Sequence, residues 1–299
     1  MYPSRFDYVK AASFAEASAA LLQGGDGAKV LAGGQTLIPM MKLRLLRPEL
    51  IVDLGGIDDA RDIVVDDDVI EIGALARHAD IGNEFRAQNL CPIISDCALG
   101  IADAQVRNMG TIGGSLAEAD PCSCWPALLV ALDAAVLIEG PGGTRALRVR
   151  DLLRDAYTPD LAAGELITRI AVERAALDGI GAFVAFKRAA PAYPTASVAL
   201  QINYDGDRIA ALRLGFGCLG LTPLAFDAAS DMACGKTVTP ALIADIAAAA
   251  SAFVEPIDDA KGSETYKRSL AAGLVTRAFN VVEARRTGAP AGETHQYYG

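Results

Sequence analysis

The sequence predicts a mixed α+β protein of two domains, and three observations carry that expectation. The chain has 299 residues, and domains of about 150 residues make two the natural division. Its composition, 52% hydrophobic and 21% charged, is that of a globular chain rather than a disordered one. Its apolar runs and turn signals read as antiparallel hairpins interspersed with helices, not as an alternating βαβ series.

The elements follow in order. Phe14–Leu22 has helical spacing and ends at Gly24-Gly25. Lys29–Leu31 reads as a short strand running into Ala32-Gly33-Gly34-Gln35-Thr36. Leu37–Leu46 reads as a helix with Leu37, Met40, Met41 and Leu45 on one face. Pro39 sits in its first turn, where a missing N–H costs nothing, and Arg47-Pro48 ends it. Ile51–Leu54 is a strand closed by Gly55-Gly56. Ile63–Val65 and Val69–Ile72 flank Asp66–Asp68 as a hairpin, the aspartates being a solvated turn. Arg77–Gln88 and Cys91–Ala102 read as helices. Arg107–Pro121 holds glycine and small-residue turns and no helical period. Trp125–Leu132 is an apolar helix, Leu137–Arg148 a hairpin turning at Gly140–Gly143, and Leu166–Val172 a strand. From about Phe183 the pattern is mostly strand, with Ala196–Tyr204 and Arg208–Gly217 joined by Asp205-Gly206, a strong hairpin signal. Helices return at Pro240–Phe253 and Glu264–Arg286, and the polar tail Thr287–Gly299 reads as frayed. A boundary near 174–180 divides the chain into 1–176 (parts of about 1–56 and 57–176), 177–286 and a tail, 287–299.

Composition excludes several functions. Lysine and arginine total 27 against 37 aspartates and glutamates, a net charge of −10; with a pI near 4.8 and no long basic run, nucleic-acid binding is not expected. The apolar stretches Trp125–Ile138 and Pro240–Val254 each carry an aspartate (Asp133, Asp245) and are too short to span a bilayer. The opening MYPSRFDYVKAASF lacks the pattern of a secretory signal. The six cysteines are too sparse for a disulfide framework, which leaves them as small hydrophobes in a reducing, cytoplasmic setting. His78 and His295 form no ligand cluster, so no zinc or other metal site is expected. No Gly-x-Ser-x-Gly supports a serine hydrolase. The formal GxGxxG at Gly215–Gly220 is followed by Thr222-Pro223 rather than a helix and by no acid near 235–240. It reads as a glycine-rich strand, not a dinucleotide fingerprint. No side chain presents itself as catalytic, so chemistry has to come from a cofactor.

Two loops suit one. In Ala32-Gly33-Gly34-Gln35-Thr36, the glycines let backbone N–H groups approach a ligand without a Cβ clash. Thr36 is placed to cap the following helix, whose N-terminus favours a diphosphate. The plain structural reading of that loop alone is a glycine-containing strand-to-helix turn. The second loop, Gly110-Thr111-Ile112-Gly113-Gly114-Ser115, alters the balance. Two separated small-residue loops are what a long dinucleotide needs, and Asn108, Thr111 and Ser115 add side-chain hydrogen-bonding groups.

The stretches LAGGQTLIPMMKLRL (31–45) and RNMGTIGGSLAEADP (107–121) closely resemble the FAD-binding medium subunit of the molybdenum hydroxylases, the xanthine dehydrogenase and carbon monoxide dehydrogenase family. ELITRIAVE…AFKR (165–188) matches as well, and the resemblance covers nearly the whole chain. It implies a two-part FAD-binding domain of the vanillyl-alcohol-oxidase type followed by a smaller α+β C-terminal domain. It also implies contacts. Ala32, Gly33, Gly34, Gln35, Thr36, Leu37, Ile38 and Pro39 would hold the FAD diphosphate and near ribose through backbone N–H groups. Thr111, Ile112, Gly113, Gly114 and Ser115 would hold its other side and the ribityl chain. Ile101 falls where the family has a cofactor-contacting hydrophobe, Ile167 and Lys187 match positions that close over the flavin, and Tyr193 resembles the aromatic that lies against the isoalloxazine ring.

Cys124 occupies a position that usually carries an acid in the family, so the ribityl contact there is lost or made by backbone, Glu118 or Asp120. Cys122-Ser123-Cys124 supplies too few thiolates for an iron–sulfur cluster. The resemblance implies an electron-transfer subunit that passes electrons from the clusters of an iron–sulfur small subunit, through FAD, to a soluble acceptor. Substrate would be oxidised on a molybdenum-cofactor large subunit. Two other readings are a self-contained FAD oxidoreductase, which needs its own acid–base residues at the flavin, and a scaffold subunit with a decayed flavin site.

Overall fold

Ser13 sets the start of the first helix: its hydroxyl accepts from Glu16 N at 3.1 Å while Glu16 Oε2 accepts from Ala12 N at 2.8 Å, a reciprocal N-terminal cap. The computed structural model describes residues 2–88, 90–189, 191–290, 292 and 294–297. In its first part, α1 (Phe14–Gly24) and α2 (Leu37–Lys42) connect β1 (Asp7–Lys10), β2 (Ala28–Leu31) and β3 (Leu50–Asp53). The three strands form a parallel sheet in the order β1-β3-β2. This part is an alternating β/α unit, where the sequence predicts no such series. Parallel neighbours need long crossovers, which α1 and α2 supply, and four-residue strands are too short to announce the pattern. α2 is also shorter than its apolar spacing predicts. Arg44 adopts a left-handed φ of +61°, so the helix stops at Lys42, leaving Leu43 and Leu45 exposed.

The second sheet is antiparallel, in the order β4-β5-β10-β6-β7. Its strands are β4 (Ile63–Val65), β5 (Val69–Gly73), β6 (Ala135–Gly140), β7 (Gly143–Arg148) and β10 (Leu166–Glu173). Between β5 and β6 the chain inserts α3 (His78–Ala87), α4 (Pro92–Gly100), α5 (Ala104–Arg107), α6 (Ile112–Glu118) and α7 (Cys124–Ala131). Between β7 and β10 lie α8 (Val149–Leu152) and the small hairpin of β8 (Leu153–Asp155) and β9 (Thr158–Pro159). α6 falls where the sequence shows only turns, and α5 mostly in the unassigned residues just before them. Thr111 caps α6, its Oγ1 accepting from Gly114 N at 3.2 Å, and Ile112 and Leu116, one turn apart, are fully buried. Small residues between those anchors hide the helical period.

After α9 (Arg174–Leu177), the third sheet runs β14-β13-β12-β11-β15. It comprises β11 (Ile180–Lys187), β12 (Ala196–Asp205), β13 (Arg208–Gly217), β14 (Leu224–Ala225) and β15 (His295–Tyr297). Asp205 pairs with Arg208, so the hairpin turns on Gly206-Asp207, one residue later than the sequence signal. The glycine-rich run 215–220 is strand only as far as Gly217; Cys218, at φ +64°, turns the chain out of β13, and no helix opens there. α10 (Ala228–Ala233), α11 (Pro240–Phe253) and α12 (Glu264–Thr287) complete the chain. α12 packs on β11 and β12, while α4 and α7 from the middle of the chain also contact this sheet. The tail is not wholly frayed: His295–Tyr297 pairs in parallel with Ala185–Lys187, the rest of the expectation falling partly on residues outside those described. Among the described residues no helix is long and apolar enough to cross a membrane.

Candidate cofactor site

The two glycine loops touch. A Cβ on Gly33 would lie 2.2 Å from Met109 O and 2.7 Å from Gly110 Cα, so only glycine permits this approach. The first loop leaves the C-terminal end of β2. The second precedes α6, tied down where His78 N donates to Gly110 O at 3.1 Å and Ile112 N to Ala76 O at 3.1 Å. Beside them lies a cavity of about 500 Å³, within the usual range of small-molecule sites.

The structure brings most of the expected residues to its wall: Ala32, Gly33, Gly34, Gln35, Thr36 and Leu37 from the first loop, Thr111, Gly114 and Ser115 from the second. Ile101, Cys124, Lys187 and Tyr193 join them from four different segments. Ile38, Pro39, Ile112, Gly113 and Ile167 do not line it. Ile38 N already donates to Gly34 O at 3.1 Å, and a proline has no N–H to offer. Ile112 is fully buried and Gly113 N is bound to Ala74 O at 2.9 Å. Ile167 is a buried residue of β10, paired with Ile138 of β6. Thr36 does not cap α2 with its side chain, because its own backbone is already helical, at φ −102° and ψ −50°; an N-cap side chain needs extended backbone to reach forward.

The two loops differ in their donors. Among the described residues the amides of Gly33, Gly34, Gln35 and Thr36 make no hydrogen bond. Those of residues 112–115 are all taken: Ile112 and Gly113 by Ala76 and Ala74 carbonyls, Gly114 by Thr111 Oγ1, and Ser115 by Thr111 O. The second loop therefore offers the Thr111 amide and side chains rather than a row of amides.

Lys187 is fully buried and donates its ammonium to Gly100 O at the end of α4. Burial lowers its pKa, against the pull of the Cys124 and Cys97 thiols. Cys124 is buried, which pushes its thiol up, so the wall there carries a neutral group. The carboxylate on this wall belongs to Glu118, raised by burial and by Asp120; Asp120 itself accepts from Cys122 N at 2.8 Å. Tyr193 is 48% exposed at the rim, with Lys261 Nζ 5.7 Å from its ring centre and also donating to Pro194 O at 3.0 Å. Burial raises the Tyr193 hydroxyl, with Asp120 and Glu118 adding to it. Among the described residues no group of three or more His, Cys, Asp or Glu could hold a metal ion.

Sequence reasoning passed over His78, Ala102, Val106 and Gly110, which also line the cavity. Gly110 was visible as part of the loop motif. His78 had no sequence neighbour to mark it, since its partner Trp125 lies far along the chain.

Comparison with known proteins gives this geometry a context. Residues 4–173 match the FAD binding domain in molybdopterin dehydrogenase, and residues 181–282 the CO dehydrogenase flavoprotein C-terminal domain. The chain is 36% identical to the glyceraldehyde dehydrogenase medium chain of Sulfolobus acidocaldarius over 283 residues, spanning 94% of this chain and 100% of that one. It is 36% identical to the carbon monoxide dehydrogenase medium chain of Afipia carboxidovorans over 286 residues, 95% of this chain and 99% of the relative. A solved carbon monoxide dehydrogenase from Hydrogenophaga pseudoflava superposes with a TM-score of 0.90 at 35% identity, covering 95% of this chain and 99% of that one.

Proposed function

We propose a function from one premise: the chain belongs to the family of FAD-binding medium subunits of the molybdenum hydroxylases. Its cofactor is FAD. The proposal is that FAD lies in the cavity between the two glycine loops, and that the chain is the electron-transfer subunit of a three-component enzyme. A large subunit with a molybdenum cofactor would oxidise the substrate, an iron–sulfur small subunit would deliver the electrons, and a soluble acceptor would receive them from this chain. We also place the division between its two domains near residues 174–180, and its setting in the cytoplasm.

The observation that carries the reading is the row of uncommitted amides at Gly33–Thr36 on the wall of the cavity. A row of free N–H groups is a place for anionic oxygens such as those of a diphosphate. The residues present therefore fit FAD. When bound there, FAD supplies the redox chemistry, and the protein supplies position and surroundings. The first loop holds the diphosphate through its amides. Ser115 and Thr111 contact the stretch beyond it. Lys187 fixes the end of α4 through Gly100 O and so keeps Ile101 against the cofactor. Tyr193, held by Lys261, covers the rim and limits access of water.

Purification from the source organism tests the reading. The chain is expected in a complex with a molybdenum-containing and an iron–sulfur subunit, carrying one flavin that acid precipitation releases wholly as FAD. A chain that purifies alone and oxidises a substrate unaided would overturn it, as would flavin retained in the acid pellet.

A further inference from the structure

His78 opens α3 and is only 6% exposed, yet its ring forms part of the cavity wall. Its two ring nitrogens are in different situations. Nδ1 accepts from Trp125 Nε1 at 3.0 Å, the rings being 6.2 Å apart and tilted at 45°. An indole nitrogen can only donate, so Nδ1 is the unprotonated nitrogen and the neutral ring carries its proton on Nε2. Burial, and then the charge of Arg107, lowers the His78 pKa to about 4, which keeps the ring neutral at ordinary pH. Trp125, itself 1% exposed, thereby fixes both the orientation of the ring and its tautomer.

The remaining donor, Nε2–H, sits over the second glycine loop. A Cβ on Gly110 would lie 2.6 Å from Nε2 and 2.9 Å from Cδ2, so Gly110 is the residue that makes room for the imidazole edge. Among the described residues Nε2 has no hydrogen-bond partner. A donor that faces a cavity with no protein acceptor is available to an acceptor on a ligand there. The loop beside it has already committed the amides of residues 112–115, so this side of the cavity offers the Thr111 amide alone rather than the row of free N–H groups that the first loop presents.

We propose that His78 is a cofactor-binding residue, its Nε2–H donating to an oxygen of the FAD diphosphate where that group passes Gly110. The inference rests on the reading that FAD occupies this cavity. The ring acts as a neutral donor of fixed tautomer, making up on the second loop for the amides that loop has spent. Trp125 is a positioning residue: it touches no cofactor and acts only through Nδ1.

The test measures FAD affinity of the full chain by flavin fluorescence, with folding checked by circular dichroism. His78→Gln keeps a terminal N–H donor and is expected to bind FAD within about fivefold of the unaltered chain. His78→Phe keeps the bulk and removes the donor; its affinity should fall about tenfold or more, the scale of one hydrogen bond to a charged group. Trp125→Phe frees Nδ1 to take the proton and should weaken binding by an intermediate factor, although residue 125 is not in the cavity wall. If His78→Phe folds and binds FAD like the unaltered chain, the assignment is overturned. Should His78→Phe fail to fold, the other two decide: equal and unaltered affinity in His78→Gln and Trp125→Phe overturns it, and a graded loss in Trp125→Phe alone supports it. Failure of the unaltered chain to bind FAD would instead sink the assignment of the cavity, leaving a result distinct from any of these.

Discussion

Arg285, in the last turns of α12, closes a two-pronged ion pair on Asp96 of α4, with Nη1–Oδ2 and Nη2–Oδ1 both at 2.8 Å. The side chains are 20% and 11% exposed. Phe183 N adds a bond to Asp96 Oδ2 at 3.2 Å and Arg285 also donates to Gly181 O, so the pair pins α4 against the start of β11. At the far ends of the same two elements Lys187 meets Gly100 O. Two polar ties thus fix the spacing of α4 and β11, and with it Ile101 and Lys187 on the cavity wall. Burial raises the Asp96 pKa although Arg285 opposes it, as expected where desolvation and pairing compete. Asp96→Ala leaves Arg285 buried without its carboxylate and is expected to cost about 3 kcal/mol in urea unfolding. The double variant Asp96→Leu, Arg285→Met should lose less than the two single variants added together. Additive losses would show that the pair is not a coupled unit.

Tyr193 provides a cleaner handle on the cavity than any buried residue, because half of it is in solvent. Tyr193→Phe is expected to leave FAD affinity nearly unaltered, since no hydrogen bond from the hydroxyl holds the ring in place among the described residues. Tyr193→Ala removes a flat apolar surface worth about 1 kcal/mol beyond simple burial, or roughly fivefold in affinity. Lys261→Ala removes the cation 5.7 Å from the ring and the bond to Pro194 O, and should approach the Tyr193→Ala value if positioning of the ring is what matters. Flavin fluorescence titrations compare the three.

Glycine substitutions separate contact between the loops from contact with the cofactor. Gly33→Ala drives a Cβ into the backbone of Met109 and Gly110, so it should lower both stability and flavin content. Gly34 has φ +71°, a conformation that costs other residues about 1–2 kcal/mol, so Gly34→Ala reports on strain as much as on binding. A Cβ at Gly114 would lie 2.8 Å from the Thr111 hydroxyl and in ordinary contact with Ala32 Cβ at 3.9 Å. Gly114→Ala should therefore cost about 1 kcal/mol through the disturbed cap while reducing FAD content more than that loss explains. Flavin per folded chain, read beside thermal unfolding, distinguishes the three cases.

What was legible in the sequence was local. Gly33-Gly34 and Gly113-Gly114 stand out as pairs, hairpins such as Ala196–Tyr204 with Arg208–Gly217 carry their turn residues between them, and the apolar runs at Phe14–Leu22 and Pro240–Phe253 announce α1 and α11. What was hidden depends on distant partners. His78 gains its character from Trp125, to which nothing in the sequence ties it, and from a glycine whose missing side chain makes room for the ring. Ile167 shares a family motif with cavity residues, yet its backbone pairing with Ile138 buries it in a sheet. The parallel order of β1, β3 and β2 and the addition of β15 beside β11 are long-range pairings of short strands, for which periodicity has no signal. Amide accounting was out of reach as well: two similar glycine loops differ in which N–H groups remain free, and only the pairing with Ala74 and Ala76 decides it.

Cys122 is expected to be chemically distinct from its neighbours. Its thiol accepts a hydrogen bond from Cys218, the first cause of a pKa lowered to about 7, with the nearby Lys261 ammonium adding to the effect and burial opposing it. Burial pushes Cys91 up to about 11 and raises Cys97, Cys124 and Cys218 as well. Cys122 is only half-buried, so a small alkylating reagent can reach it. The thiolate is the reactive form, and its population rises as pH climbs through the pKa. Iodoacetamide labelling, followed by peptide mass spectrometry, should therefore show Cys122 reacting with a pH midpoint near 7, whereas Cys91 stays unlabelled below pH 9. Lys261→Met removes a positive charge that favours the thiolate and should move the Cys122 midpoint upward. Cys218→Ala removes the hydrogen-bond donor and should move it further, because that bond is the larger cause. A midpoint that ignores both substitutions would show that neither group governs the thiol. A shift with Lys261→Met alone would show that the ammonium, not the neighbouring thiol, sets its acidity.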